Sequence, residues 1–362
     1  MKRVGIITYH FAQNYGAVLQ CYALSKYLMD NGYDVTVFNF LSEKQMENND
    51  IKMHSFQIKS IIKNICLIPF RKYIKIKHDR FQMFREEYLN LTPRFSNIED
   101  LRFFIESNNF DYIISGSDQV LNSNIADFDL AFLYPFKTKA KKFTYAASTG
   151  NATVYDIKEL NRYLNDFNAL SLREGKDIVK FNDNIKEKIS IVCDPVMLVN
   201  KKVWEELTVK SIYTPYLVCY FLHKNLYDSE FKYAKKIASE LGLKLKIINA
   251  RFSMKSFLEE SVLDVGPKEF INLIANANYI CTDSFHGTLF SLIFHKKFSC
   301  FDTLKNNNDN RKRDILERVG AIDTFQNVEE PIKICRNLDY QIIDKNIDKI
   351  KEESKRFLSN LN

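Results

Sequence analysis

Hydrophobic residues in this chain alternate between short unbroken runs and a three-to-four residue spacing. Val4–Thr8 is a short apolar run of the kind a strand buried on both faces requires. Val18, Cys21, Leu24 and Leu28 then recur at intervals of three and four, which predicts a helix. Gly32 is placed to end that helix in a left-handed conformation, and Asp34–Phe40 resumes β-rich composition. Strand, helix and strand in that order imply a right-handed crossover into a parallel sheet. The alternation continues with a helix over Asp79–Leu89 carrying Phe81, Phe84 and Tyr88 on one face, and another near Ile98–Ser107. Strands are expected at Tyr112–Ser115, Phe143–Ala147 and Ala169–Leu172.

A second series opens after Pro215. It predicts strand Tyr216–Leu222, helix Asp228–Leu241 ended by Gly242, strand Leu243–Asn249 and a helix begun by Pro267. Strand Tyr279–Thr282, helix Gly287–Phe294 and strand Phe298–Phe301 follow. In the tail Ile343–Leu361, Ile343, Ile347, Ile350, Phe357 and Leu361 share one helical face, so a C-terminal helix is expected to pack back on the body. The fold class is therefore α/β, with two Rossmann-like domains over residues 1–208 and 209–362. Ligands are expected beyond the carboxyl ends of the parallel strands.

Composition narrows the chemistry. A length of 362 residues suits two domains, and 46% hydrophobic with 14% aromatic residues excludes general disorder. The ten glycines never fall within ten residues of one another, which rules out both G-x-G-x-x-G and the Walker A loop. Seven cysteines form no C-x-x-C pair and read as small buried hydrophobes of a reducing compartment. Six histidines show no metal-ligand spacing, so no metal is expected. The first residues are too strand-like for a signal sequence, and no stretch approaches the ~18–20 apolar residues of a membrane span. A cytoplasmic protein is expected.

Charge is uneven. Lys and Arg outnumber Asp and Glu by 52 to 45, and the segment Ile51–Arg80 alone holds eight basic residues against Asp79, a balance of 8 − 1 = +7. Ile58, Ile61, Ile62, Ile65, Leu67 and Ile68 are threaded through it. Two readings stay open: a basic amphipathic surface resting on anionic lipid at the inner face of a membrane, or a solvated insertion whose apolar side covers the N-terminal domain. A nucleic-acid partner is not expected, because only this region offers a basic stripe.

Four strand-to-helix loops carry candidate chemistry. At Gln13–Gln20, Asn14, Tyr15 and Gly16 form either a hydrogen-bonding cradle for a polyol or anion, or a plain capping loop with Asn14 as N-cap. Ser115–Gln119 offers Ser117 and Asp118, the latter as a base toward a hydroxyl or as an Asx-type turn. In Ser171–Gly175, the fork of Arg173 suits a phosphate or carboxylate, with an ion pair to Glu174 as the rival. Cys281–Thr288 sets Asp283, Ser284, His286 and Gly287 at the start of a helix, where backbone N–H groups favour an anion. A buried histidine bonded to Asp283 is the plain alternative. Downstream, Asn306–Arg313 is a polar loop ending in a basic cluster, from which Arg311 is placed to close over a phosphate or simply to start a helix.

These loops in this order resemble the polysaccharide pyruvyl transferase family. The resemblance runs through Gly5–Thr8, Asn14–Gln20, Gly116–Gln119, Tyr145–Ser148, Ser171–Glu174, Asp194-Pro195, Thr282–Gly287 and Arg311, over roughly residues 1–320. It implies a glycosyltransferase B type fold and transfer of an enolpyruvate-derived group from phosphoenolpyruvate to two hydroxyls of a sugar, closing a pyruvate ketal. By the same resemblance the family's histidine falls on His286 and its phosphoenolpyruvate-binding arginines on Arg173 and Arg311. The chemistry then assigns His286 as general acid at the methylene or at the leaving phosphate, Arg173 as stabiliser of the donor's carboxylate or phosphate charge, and Asp118 as base for the acceptor hydroxyl. Ser117, Ser284, Gly287, Asn14, Tyr15 and Gly16 are expected to contact substrate. No cofactor is implied beyond the donor, and the acceptor is a free or lipid-linked glycan. Leu121 stands where the family often carries Trp, and Lys312 and Arg313 add charge beside Arg311. A nucleotide-sugar glycosyltransferase of the same fold and a non-catalytic glycan-binding protein are the competing expectations.

Overall fold

The computed structural model describes residues 1–49, 67–209, 214–222, 227–250, 260–302 and 311–359. The chain forms two compact units that interleave in sequence. Unit 1 comprises Met1–Asp50, Arg85–Val199 and Asp348–Asn362, and unit 2 comprises Ile51–Phe84 and Asn200–Ile347. The expected division into 1–208 and 209–362 is thus corrected: the boundary expected after 208 lies after Val199, and Ile51–Phe84 and Asp348–Asn362 change sides.

In unit 1, β1 (Arg3–Ile7), β2 (Asp34–Val37), β3 (Tyr112–Ser115) and β4 (Lys141–Thr144) form a parallel sheet in the order β2-β1-β3-β4. A parallel pair, β5 (Leu170–Leu172) and β6 (Ile189–Ile191), continues it through bridges Phe143–Ala169 and Ala147–Leu172. Helix α1 (Tyr15–Asp30) follows β1. It ends as the sequence predicts, because Gly32 at φ +86° lets its own N–H reach Met29 O and the Tyr33 N–H reach Leu28 O. The strand expected to reach Ala147 stops at Thr144, since Ala146 adopts φ +48° and cannot extend the ladder.

The basic insertion enters unit 2. Its described part forms α2 (Arg71–Tyr88), which begins two turns earlier than the pattern suggests, directly after a 3₁₀ turn at Ile68–Phe70. Lys77 is buried there and donates to the carbonyls of Asn249 (2.9 Å) and Ala250 (3.3 Å), and burial pushes its amine down to about 8. Arg80 pairs with Asp264 at 3.1 Å and Glu269 at 3.4 Å. Two of the eight basic residues are therefore structural. Residues 51–66 of the proposed patch lie outside the described residues.

Unit 2 holds a six-stranded, wholly parallel sheet. Its strands are β7 (Tyr216–Phe221), β8 (Lys244–Asn249), β9 (Ser261–Val262), β10 (Tyr279–Thr282), β11 (Phe298–Phe301) and β12 (Phe325–Gln326), in the order β12-β11-β10-β7-β8-β9. Helices α3 (Tyr227–Leu241), α4 (Phe285–Ile293) and α5 (Arg311–Val319) follow β7, β10 and β11. Helix α6 (Tyr340–Ser359) closes the chain and returns to unit 1, where Ser354 Oγ accepts the Cys193 N–H at 2.8 Å and Phe357 lies against Tyr145. Among the described residues, no helix is long and apolar enough to cross a membrane.

Both sheets reverse strand order once, between β1 and β3 in unit 1 and between β7 and β10 in unit 2. Such switch points open a crevice at the carboxyl ends of the strands, where ligands bind in open α/β sheets. The first crevice depends on close packing under β1: a Cβ on Gly5 would meet the Phe38 ring at 2.0 Å. Gly5→Ala is therefore expected to destabilise the protein by about 1–3 kcal/mol, read as a lower urea midpoint at unchanged slope.

Candidate functional site

At the first switch point, one amide ties three segments together. Gln20 of α1 donates through Nε2 to Thr8 Oγ1 (2.9 Å) and accepts the Ser117 N–H on Oε1 (3.2 Å). Thr8 Oγ1 donates in turn to the Ser117 carbonyl at 2.8 Å, and Ser117 Oγ donates to Ala146 O at 3.0 Å. The Gly116–Ser117 peptide is cis, and Gly116 (φ +113°) and Asp118 (φ +73°) both have positive φ. A Cβ on Gly116 would sit 2.6 Å from the Tyr145 carbonyl. This turn delivers Asp118 to the strand ends with its side chain 15% exposed.

Arg173, at the end of β5, lies in the same place, but its fork is taken. Nε donates to Glu174 at 2.8 Å, Nη1 to Asp194 at 2.6 Å, and Nη2 faces Asp118 at 3.8 Å, with the side chain only 4% exposed. Desolvation works against its charge, and the carboxylates of Glu174, Asp194 and Asp118 outweigh that and hold the guanidinium protonated. The arginine expected to grip a substrate anion thus has two of its nitrogens donating to Glu174 and Asp194, with Asp118 facing the third. Ser117 and Tyr15, also expected at the substrate, lie inside the protein. Both are fully buried, and Ser117 spends its hydroxyl and N–H inside the turn. Asn14 is the exposed N-cap of α1, accepting the Ala17 N–H at 3.3 Å, and Gly16 is buried in the first turn. Leu121 is buried in the unit 1 core.

At the second switch point, Asp283 bridges the two central strands: its Oδ1 accepts the Leu222 N–H at 2.6 Å. Thr282 Oγ1 donates to Tyr220 O (2.7 Å) and accepts the Ser284 N–H (3.0 Å). Ser284 caps α4 by accepting the Gly287 N–H at 3.3 Å. Gly287 is required for this approach, since a Cβ there would lie 2.4 Å from Thr282 Oγ1. His286 therefore sits in the first turn of α4, largely buried, with its ring edge-on to Phe285 at 5.4 Å.

The three basic residues downstream separate clearly. Arg311 lies over the Phe285 ring at 5.7 Å. Lys312 is buried and donates to the carbonyls of Asp283 (2.8 Å) and Phe301 (2.6 Å), locking β11 to the turn. Arg313 points to Asp302 (3.9 Å) and Phe325. Of the two arginines, Arg311 is the one at the α4 turn. Asn306–Asn310 lie outside the described residues.

One residue here escapes local sequence reasoning. Glu230, in the first turn of α3, is fully buried, and among the described residues neither carboxyl oxygen has a hydrogen-bond partner. Burial, aided by Asp283 and opposed by Lys312, pushes its carboxyl up to about 9. An acid at a helix start normally reads as a dipole partner, and only the fold reveals its burial. Among the described residues, no group of three or more His, Cys, Asp or Glu side chains is placed to hold a metal ion.

Parallel sheets with polar turns at both switch points define an α/β protein of glycosyltransferase B type. The solved structures it resembles agree. UDP-GlcNAc 2-epimerase from Methanocaldococcus jannaschii is 12% identical, covering 100% of this chain and 99% of that one, at a TM-score of 0.54. The Rickettsia bellii enzyme of the same name is 11% identical over 99% and 95%, also at 0.54. UDP-GlcNAc 2-epimerase from Neisseria meningitidis is 11% identical over 100% and 99%, at 0.52. At such identities the likeness is one of fold. No curated protein matches the chain. The polysaccharide pyruvyl transferase family model matches residues 14–306, and the chain belongs to that family.

Glu230 gives a signed pH test. Its pKa is raised on folding from the ordinary 4.5 to about 9, so the unfolded chain releases this proton first. The contribution to stability is fully present below about 4.5 and is lost as pH rises toward 9. Glu230→Gln, which does not titrate, should gain melting temperature relative to the parent steadily across that window and level off above it, as measured by calorimetry in a pH series.

Proposed function

We propose that this chain moves the enolpyruvate-derived group of phosphoenolpyruvate onto two hydroxyls of one sugar in a polysaccharide or its precursor, forming a pyruvate ketal. The observation that carries the reading is the turn at β10 in a member of this family: His286 in the first turn of α4, with Arg311 over the ring of the preceding Phe285. A helix start and a guanidinium suit a multiply charged donor.

In this reading His286 delivers a proton to the donor's methylene carbon, making C2 electrophilic. A sugar hydroxyl adds to C2 and gives its proton to Asp118. A second hydroxyl of the same sugar then displaces phosphate, its proton passing to the His286 imidazole left neutral by the first step, and the bridging C–O bond breaks with both electrons leaving on the phosphate oxygen. Arg311 supports charge on the donor. Arg173 acts through Asp118 as a positioning residue, holding that carboxylate at the mouth of the switch point. Ser284 and Gly287 shape the donor turn, and Asn14 lies at the rim of the acceptor side. No cofactor is invoked beyond the donor.

His286→Ala should keep its fold and lose phosphoenolpyruvate-dependent product by at least ~100-fold. The assay is phosphate release against galactose-, glucose- and mannose-type acceptors, with mass spectrometry for the pyruvyl adduct. Near parental turnover refutes the role of His286, and nucleotide release from a sugar nucleotide without phosphoenolpyruvate favours the glycosyltransferase reading.

For the acceptor's location we propose peripheral contact with anionic lipid at the inner face of the membrane, which suits a lipid-linked glycan. The support is α2, where Arg71, Lys72, Tyr73 and Lys75 are exposed, as is Ile68 just before it. Changing Arg71, Lys72 and Lys75 to Gln should reduce co-sedimentation with phosphatidylserine vesicles, as should added salt. Indifference to both discards the contact.

A further inference from the structure

Tyr9 follows β1 by two residues, at the carboxyl end of the strand that flanks the first switch point. Its ring is fixed, 4.5 Å from Phe132 and 6.0 Å from Phe11. The residue is 5% exposed, and its hydroxyl has no hydrogen-bond partner among the described residues. Buried polar atoms in folded proteins are almost always paired, and phenylalanine would fill the same space without the penalty. An idle hydroxyl at this position therefore points to a partner that arrives with a ligand.

The surroundings identify that partner's chemistry. Asp118, across the switch point at the end of β3, is the charged group acting most strongly on the phenol, followed by Asp127 and Asp129. Burial first, and then these carboxylates, push the phenol well above its ordinary range, so it stays a donor. Asp129 is already engaged by the Ala131 N–H. An anion would be repelled by this set. A neutral polyol, whose hydroxyls both donate and accept, complements a phenol and a carboxylate together.

We propose that Tyr9 and Asp118 clamp the acceptor sugar, Tyr9 donating to one sugar oxygen while Asp118 accepts from a hydroxyl. This deepens the proposed function and rests on its assignment of unit 1 to the acceptor. Asp118 thereby gains a partner that fixes which hydroxyl it faces, and Tyr9 becomes a substrate-binding residue.

The test is Tyr9→Phe, studied by saturation-transfer NMR with methyl β-galactoside, methyl α-glucoside and methyl α-mannoside, alongside thermal melting. The expected result is an unchanged or higher melting temperature with binding of the preferred glycoside weakened roughly fivefold, the scale of one hydrogen bond. Asp118→Asn should also weaken it. A lower melting temperature with unchanged binding shows a purely structural tyrosine and overturns the proposal, as does failure of the parent protein to bind any of the three. The two readings fail separately. Glycoside binding that depends on Tyr9 without phosphate release from phosphoenolpyruvate removes the transfer and leaves the clamp. Phosphate release with a glycoside KM indifferent to Tyr9→Phe removes the clamp and leaves the transfer.

Discussion

Charge buried at the carboxyl end of a parallel sheet has to be matched on the spot, because an unpaired ion there costs several kcal/mol. Arg173 meets that requirement with Glu174, Asp194 and Asp118 in unit 1. Lys312 meets it in unit 2 with the carbonyls of Asp283 and Phe301. Neither cation is spare. Each fixes a loop that hydrophobic packing alone would leave undetermined, since the side chains at strand ends have no second layer to interlock with. The turns around Asp118 and His286 take their positions from these pairings.

The same requirement divides labour among residues of like charge. Guanidinium groups at Arg173 and Arg311 are chemically identical, yet one is enclosed by carboxylates and the other lies on the face of Phe285. The first is committed within its own turn, and the second packs on an aromatic face at the start of α4. Like charges thus serve different turns according to the loop each one enters.

Much of the architecture was legible because both sheets are parallel and buried on two faces. Runs such as Val4–Thr8 and Tyr216–Leu222 have no polar alternation to confuse them, and Asn14, Gly32 and Pro267 mark helix ends with their own chemistry. The motif loops were legible as well, since their small and polar residues interrupt apolar runs. What escaped was everything set by distant pairing. Arg173 next to Glu174 looks like a surface ion pair, and nothing local says that Asp194 will close the other side. Tyr9 reads as the first residue of the loop after an apolar run, and Glu230 as an ordinary helix-start acid. Strands of two residues, β9 and β12, carry too little pattern to be seen. The division into units was misjudged because periodicity reports that a helix has an apolar face without saying which core receives it.

Unit 1 takes its last pieces from the far end of the chain: Ser354 caps the Cys193 amide, and Phe357 covers Tyr145. During synthesis, β1 through β6 therefore leave the ribosome about 160 residues before the helix that finishes their core. At ~5–20 residues per second, the first unit waits on the order of ten to thirty seconds with an open apolar face while the second is made. The interval exposes a nascent chain to chaperones and to self-association, and it gives the inserted unit a head start in reaching its native state.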